Sequence, residues 1–378
     1  MKNPSPKVCV ITAARSEYGL LRWLIDEIHQ DPDIELQLLV TGSHLLGEYG
    51  NTYKEIEADG YPIAQKVDMQ LSVSTEANIA RSMGRCISGM ATAFETLQPD
   101  LVVVLGDRYE LLSICSAALI MNIPIAHLSG GDITEGAIDD QVRNAVTMMA
   151  TLHFPGVAES AENITRMINS SRNVYTSGEP GLDNFERLTL LSRNELAKVL
   201  NLDVSKKWVL VTQHSETKKP ADENLEMAKN IVSALEPHDD IEVIITKANA
   251  DFGGSQINDY FTQVASGSNK FKLYASLGQL RYLSFMREAF CVIGNSSSGI
   301  VEAPYLAKPV INIGERQKGR HLCKNVISAS GFGDSIVNAF QTIRSSDFQQ
   351  NLVPEFHFGN GNSAGFIKNK IKSYLCIE

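Results

Sequence analysis

The run Leu101-Val102-Val103-Val104-Leu105 has no polar face, so a strand made from it must be covered on both sides. Gly106-Asp107-Arg108 interrupts the run, an amphipathic stretch follows to about Met121, and a second short strand over 123–128 leads into Gly130-Gly131-Asp132. Two parallel strands thus each end in a turn that carries an acid. Ligands of open α/β sheets bind at the carboxyl ends of the strands. Asp107, Asp132, Asp139 and Asp140, with Arg108 and Arg143, are therefore expected on one rim, as an acid/base site. Asp139 or Asp140 also reads as the cap of the helix that starts there. One capping and one catalytic carboxylate satisfy both readings.

The same alternation runs through the chain. Before the central stretch, strands are expected over 8–12, 36–41 and 63–67, with helices over 20–29 and 76–97; short strands over 152–155 and 173–176 follow it. Gly178-Glu179-Pro180-Gly181 is a breaker cluster, and helical periodicity covers 185–202. Strands over 208–212, 241–246, 290–294 and 309–313 then alternate with helices over 221–235 and 279–287 and one starting near Ser297. Such a pattern implies doubly wound parallel sheets. Two domains are expected, 1–178 and 179–363, with a cleft between facing strand ends and a C-terminal helix, 364–378, packed back on the first.

At 378 residues, two cores are more reasonable than one. A net charge of −10 argues against general affinity for nucleic acid or an anionic membrane. A negatively charged substrate would need a local pocket of basic groups and helix N-termini. The six cysteines are scattered without a CxxC pair or a Cys/His cluster, which suits buried thiols in a reducing cytosol. Residues 1–7 do not read as a signal peptide, and no apolar stretch approaches the roughly 18 residues a membrane span needs. A soluble, cytoplasmic protein is expected.

The first strand-to-helix turn, Ala13-Ala14-Arg15-Ser16-Glu17-Tyr18-Gly19, lacks G-x-G-x-x-G, which makes a nicotinamide or flavin enzyme the weakest contender. Arg15 there reads as a phosphate contact near a helix N-terminus, or as a loop cap. Gly294-Asn295-Ser296-Ser297-Ser298-Gly299 has small residues whose N–H groups and hydroxyls suit an anion, without being a Walker A loop. Glu302 reads as a ribose contact or as a solvated face, and Arg316 and Arg320 as diphosphate ligands or a surface charge run. His214 follows a buried strand and suits ligand work, with a structural histidine as the alternative; His44 has similar status. Asn249 and Asp251 touch substrate or cap a helix. No HExxH or His/Cys spacing supports a metal.

Together these pieces resemble the UDP-N-acetylglucosamine 2-epimerase family, its hydrolysing branch in particular. The carriers are Arg15-Ser16-Glu17-Tyr18-Gly19, Thr41-Gly42-Ser43-His44, Gly106-Asp107-Arg108, Gly130-Gly131-Asp132 through Asp139-Asp140, Gln213-His214, Gly294 to Gly299 with Glu302, and Arg316-Gln317-x-Gly319-Arg320. The resemblance implies a GT-B arrangement of two Rossmann-like domains, UDP and a 2-epimerised amino sugar as products, and a role in making a nonulosonic acid such as sialic or legionaminic acid. It carries over Asp107 and Asp139 as acid/base residues, and Arg15, His214, Ser296, Ser297, Glu302 and Arg316 as nucleotide contacts. Gly19, His44, Arg108, Arg143, Asn249 and Arg320 complete the expected substrate-binding set. No cofactor or metal is implied, and a homodimer or homotetramer fits the family. Many hydrolysing members have an acid before the Gly-Gly pair where this chain has Ser129, so catalysis leans on Asp107, Asp132 and Asp139. Asn144 stands where a His commonly follows the Arg. A non-hydrolysing epimerase, a GT-B glycosyltransferase and a nucleotide-sugar-binding regulator are the alternatives.

Overall fold

Side chains of the 101–105 run alternate between two cores. Leu101, Val103 and Leu105 join one and Val102 and Val104 the other, and none of the five is more than 6% exposed. A strand with apolar groups on both faces is stable only where helices cover both, and that requirement organises the first half of the molecule. The computed structural model describes residues 5–72, 75–135, 138–249 and 253–376.

The chain folds into two units. The first holds 1–133, 139–187 and 358–378, the second 134–138 and 188–357. In the first, the elements run β1 (Lys7–Thr12), α1 (Arg15–His29), β2 (Glu35–Val40), α2 (Tyr53–Ala58), β3 (Ile63–Lys66), α3 (Glu76–Leu97), β4 (Leu101–Leu105) and α4 (Glu110–Ile120). They continue with β5 (Ile125–Leu128), α5 (Asp139–Met149), β6 (Leu152–Phe154), α6 (Ala158–Ile168) and α7 (Asp183–Arg187). The six strands are parallel in the order β3-β2-β1-β4-β5-β6. Strand order reverses between β1 and β4, which makes their carboxyl ends the natural ligand rim.

The second unit repeats the plan with α8 (Arg193–Leu200), β7 (Lys207–Thr212), α9 (Ala221–Leu235), β8 (Ile241–Thr246), α10 (Gly254–Gly267), β9 (Phe271–Tyr274) and α11 (Gly278–Glu288). Then come β10 (Cys291–Gly294), α12 (Ser297–Tyr305), β11 (Val310–Ile313), β12 (Val326–Ala329), α13 (Ser335–Arg344) and α14 (Ser346–Gln350). Its parallel order is β12-β11-β10-β7-β8-β9. Its central strand is two-faced as well: Val209 and Val211 enter one core, Trp208 and Leu210 the other. The last helix, α15 (Ser363–Tyr374), returns to the first unit and buries Ala364, Ile367 and Ile371 in the core that holds α1. No helix among the described residues is long and apolar enough to cross a membrane.

Four local expectations change. The strand expected over 173–176 is a single bridge between His153 and Val174, entered through Asn173 with a left-handed φ of 60°. The helix expected over 185–202 is two helices. Ser192 caps α8, its hydroxyl accepting from the Glu195 N–H while the Glu195 carboxylate accepts from the Ser192 N–H. The sequence analysis places no element at α2, α6, α10, β9, β12, α13 or α14; the two strands among them are four-residue edges without a continuous apolar run. The first unit also extends past Gly178 to Arg187. Asn184 accepts from the Trp23 indole at 3.0 Å and donates to the Gly19 carbonyl at 3.2 Å, and Arg187 pairs with Glu27 at 2.7 Å, so α7 is bound to α1.

Candidate functional site

At the rim of the first unit, Arg143 is the hub. It lies one turn into α5, on the face that carries Asp139 and Asp140, and is 0% exposed. One Nη donates to the Asp107 carboxylate after β4. The other donates to the Asp132 carbonyl at 2.8 Å and lies 3.6 Å from the Asp140 carboxylate. Burial alone would depress this guanidinium's pKa, but the charges of Asp107, Asp132 and Asp139 outweigh it and raise it. The Asp132 carboxylate accepts from the Ser160 hydroxyl at 2.6 Å. The Asp107 and Asp140 carboxylates and the Asp132 backbone are thus gathered around one buried cation, on which the charges of Asp132 and Asp139 also act. Arg143 is therefore a positioning group inside the unit rather than an exposed substrate contact.

His127, which sequence reasoning missed, fixes the turn that bears Asp107. It is fully buried in β5. Its Nε2–H donates to the Gly106 carbonyl at 2.7 Å, and Nδ1 accepts from the Thr147 hydroxyl of α5 at 3.2 Å. Burial lowers its pKa to about 4, so the ring is neutral at physiological pH. A histidine inside an otherwise apolar strand was the available signal.

Other expected contacts turn inward. His44 is 0% exposed; its ring nitrogens pair with the hydroxyls of Thr12 at 3.0 Å and Thr52 at 2.8 Å, and burial lowers its pKa to about 4. Gly19 is buried in the middle of α1 with its carbonyl against Asn184. Both build the unit instead of lining its rim. Arg108 points back to the fully buried Glu110 at 3.0 Å. Nearby Glu17 accepts from the Ala13 and Ala14 N–H groups at 2.6 and 3.0 Å. Burial pushes the Glu17 carboxyl up to about 7 against the lowering charge of Arg108. Arg15 stays half-buried as the first residue of α1.

In the second unit, the site is built on Asn295, immediately after β10 and 0% exposed. Its amide accepts from the His214 N–H at 2.8 Å and donates to the His214 carbonyl at 2.9 Å. Its own carbonyl receives Arg316 at 3.2 Å and Gln317 at 2.8 Å. One buried amide thereby joins the loops after β7, β10 and β11. The approach is possible because residue 294 is glycine: φ is 136°, and a Cβ would lie 2.0 Å from the Thr212 carbonyl oxygen. Asn249 donates its N–H to His214 Nδ1 at 3.1 Å, which leaves the neutral ring's proton on Nε2. Glu216, also missed from the sequence, accepts from the N–H groups of Glu315 and Arg316 at 2.7 and 3.2 Å and shapes the loop that carries the arginine.

Ser296 caps α12, accepting from the Ser298 N–H, while Ser297 is exposed in the first turn. Arg320 donates to Gln317 at 3.1 Å. Glu302 is 8% exposed, and burial pushes its carboxyl up to about 7, with the Arg320 charge opposing. His214, Asn249, Ser296, Arg316 and Arg320 therefore share the carboxyl-end rim of the second sheet, beside a helix N-terminus that favours anions. Arg316 and Arg320 are themselves half-buried, in a loop whose Glu315, Lys318 and Gly319 are exposed. Asp251 lies outside the described residues.

The sequence profile of the UDP-N-acetylglucosamine 2-epimerase family matches residues 26–372. The chain is 39% identical over 350 residues to the hydrolysing GDP/UDP-N,N′-diacetylbacillosamine 2-epimerase of Campylobacter jejuni, covering 91% of this chain and 89% of that one. It is 30% identical to the hydrolysing UDP-N,N′-diacetylbacillosamine 2-epimerase of Legionella pneumophila, with coverage of 89% and 88%. Among solved structures, the UDP-GlcNAc 2-epimerase of Neisseria meningitidis bound to UDP-GlcNAc has the same fold, with a TM-score of 0.83 at 18% identity over 97% of this chain and 100% of that one.

Proposed function

The chain belongs to the UDP-N-acetylglucosamine 2-epimerase family, and on that footing we propose that it hydrolyses and epimerises UDP-N,N′-diacetylbacillosamine. The products are UDP and 2,4-diacetamido-2,4,6-trideoxymannose, a precursor for nonulosonic acid synthesis. The observation that carries the reaction type is the set of carboxylates held around buried Arg143, two of whose ligands stand at the ends of adjacent strands. The choice of sugar is supported by the names of the two relatives. A cytoplasmic location is part of the same proposal and agrees with six free cysteines. Assembly as a homodimer or homotetramer is carried from the family resemblance.

Arg316, Arg320 and the α12 N-terminus hold the leaving diphosphate, whose departure builds oxocarbenium character at C1 and so acidifies the C2 proton. Asp107 takes that proton as the C1–O bond breaks, giving UDP and a sugar with a C1=C2 double bond. Asp139 then protonates C2 from the opposite face, and water adds at C1 with loss of a proton. Asp107 returns to its carboxylate form by releasing that proton to solvent, and Asp139 recovers from solvent the proton it gave to C2. The net change is UDP-sugar plus water to UDP, the epimer and one proton.

Proton NMR in D2O with UDP-N,N′-diacetylbacillosamine, and separately with UDP-N-acetylglucosamine, tests this. Free UDP and a free manno-configured diacetamido sugar deuterated at C2 are expected, with Asp107→Asn slower by about 100-fold or more while still folded. Faster turnover of UDP-N-acetylglucosamine would overturn the substrate, an epimer still joined to UDP would overturn the hydrolytic step, and no turnover of either sugar would overturn both.

A further inference from the structure

Ser129 follows β5 directly, in a left-handed conformation with φ of 57°. Its N–H donates to the Phe154 carbonyl at 2.9 Å, which locks it against β6. From there its hydroxyl donates to Glu179 Oε2 at 2.7 Å, across 50 residues of sequence. The Glu179 backbone is itself held, with its N–H on the Phe358 carbonyl at 2.8 Å and its carbonyl accepting from Leu182 at 3.1 Å. Room for the carboxylate depends on Gly156, where a Cβ would stand 2.0 Å from Glu179 Oε1. Ser129, Gly156 and the Phe358 carbonyl thus place one half-buried carboxylate at the carboxyl end of β5. β5 is paired through Leu128 with Leu105 of β4, the strand that ends in Asp107. The sequence at 178–181 reads as a chain breaker, so this carboxylate has had no part in the chemistry so far.

We propose that Glu179 is the general base for the water that adds at C1, a carboxylate delivered from a distant loop to a position where the chain itself carries Ser129. The assignment rests on the epimerase reading above. The hydrogen bond donated by Ser129 holds one carboxylate oxygen of Glu179 in place at the end of β5. As the C1=C2 electrons take a proton at C2 from the acid on the opposite face, the water oxygen bonds to C1. Its proton passes to Glu179 and on to solvent. Elimination of UDP precedes this step and does not use Glu179.

Single-turnover product analysis of the full chain separates this role from that of a loop staple. Glu179→Gln is expected to release UDP in the first turnover at close to the wild-type rate, to accumulate the C1=C2 unsaturated sugar, and to form free epimer about 100-fold more slowly. Ser129→Ala, which only loosens the carboxylate, is expected to slow epimer formation several-fold. The double variant Ser129→Glu with Glu179→Gln, which returns a carboxylate from the near side, should form epimer at least tenfold faster than Glu179→Gln alone. Thermal melting of each variant checks folding, and Ser129→Ala carries the test if Glu179→Gln does not fold. Epimer formation by Glu179→Gln within threefold of wild type, or loss of UDP release and hydration together, would overturn the assignment of Glu179. If instead the wild type turns over no UDP-sugar, the epimerase reading fails and takes this assignment with it.

Discussion

Glu17 carries its carboxyl group into the interior of the first unit, where burial holds its pKa near 7 instead of the ordinary 4.5. Between those values the folded protein binds a proton that the unfolded chain releases. Its stabilising contribution is therefore complete below about 4.5 and is lost as pH rises through 7. Glu17→Gln keeps an oxygen for the Ala13 and Ala14 N–H groups and removes the titration. Relative to wild type, it should gain about 3 kcal/mol in unfolding free energy between pH 4.5 and 8. Urea denaturation of both proteins at the two pH values checks this, and parallel stability curves would refute it. The residue stands in a motif read from the sequence, yet nothing in Arg15-Ser16-Glu17 tells which side chain goes inward. Helical spacing separates faces; it does not show that Glu17 closes back on the turn before its own helix.

Helix α5 shows how an element brings a site together. Its acidic first turn suits the positive end of the helix dipole, and Arg143 one turn later reaches outward to Asp107 and Asp132 on the strand ends. Both readings of Asp139 and Asp140, cap and site, were legible because acids at a helix start serve either. What was hidden was the direction of Arg143, which needs three segments to be in place before it has partners. Arg143→Leu leaves the Asp107 charge uncompensated and should cost about 3–5 kcal/mol. Arg143→Lys keeps the charge but loses the fork that spans two segments, so it should recover part of the stability and little of the turnover. Chemical denaturation paired with UDP-release assays measures both; a leucine variant as stable as wild type would contradict the hub role.

On the scale of the whole molecule, the chain leaves the first unit at Arg187 and comes back to it at Phe358. The return is secured by Asp183, fully buried, whose two carboxylate oxygens accept from the Ser363 and Ala364 N–H groups at 2.8 Å each. These are orphan donors at the start of α15, so the capping carboxylate comes from 180 residues away rather than from the adjacent sequence. Asp183→Ala should lower stability by roughly 2–4 kcal/mol and open the C-terminal helix to proteases while leaving the second unit's core intact. Limited proteolysis followed by mass analysis reads this directly; unchanged cleavage at the C-terminus would count against it.

Read alone, the sequence determined the fold class and the succession of most strands and helices, and it marked the strand-end turns at which chemistry is proposed. It could do so because apolar runs, helical periodicity and breakers act over a few neighbouring residues, and because strand ends are ligand sites by topology. Only the tertiary structure decided which polar groups face the rim and which are buried: Arg143 as the hub, His44 and Gly19 inside, Asn295 and Glu216 as organisers, and Glu179 brought to Ser129. Each of these choices is a hydrogen bond or ion pair between segments far apart in the chain, and such a partner exists only after the sheets have assembled.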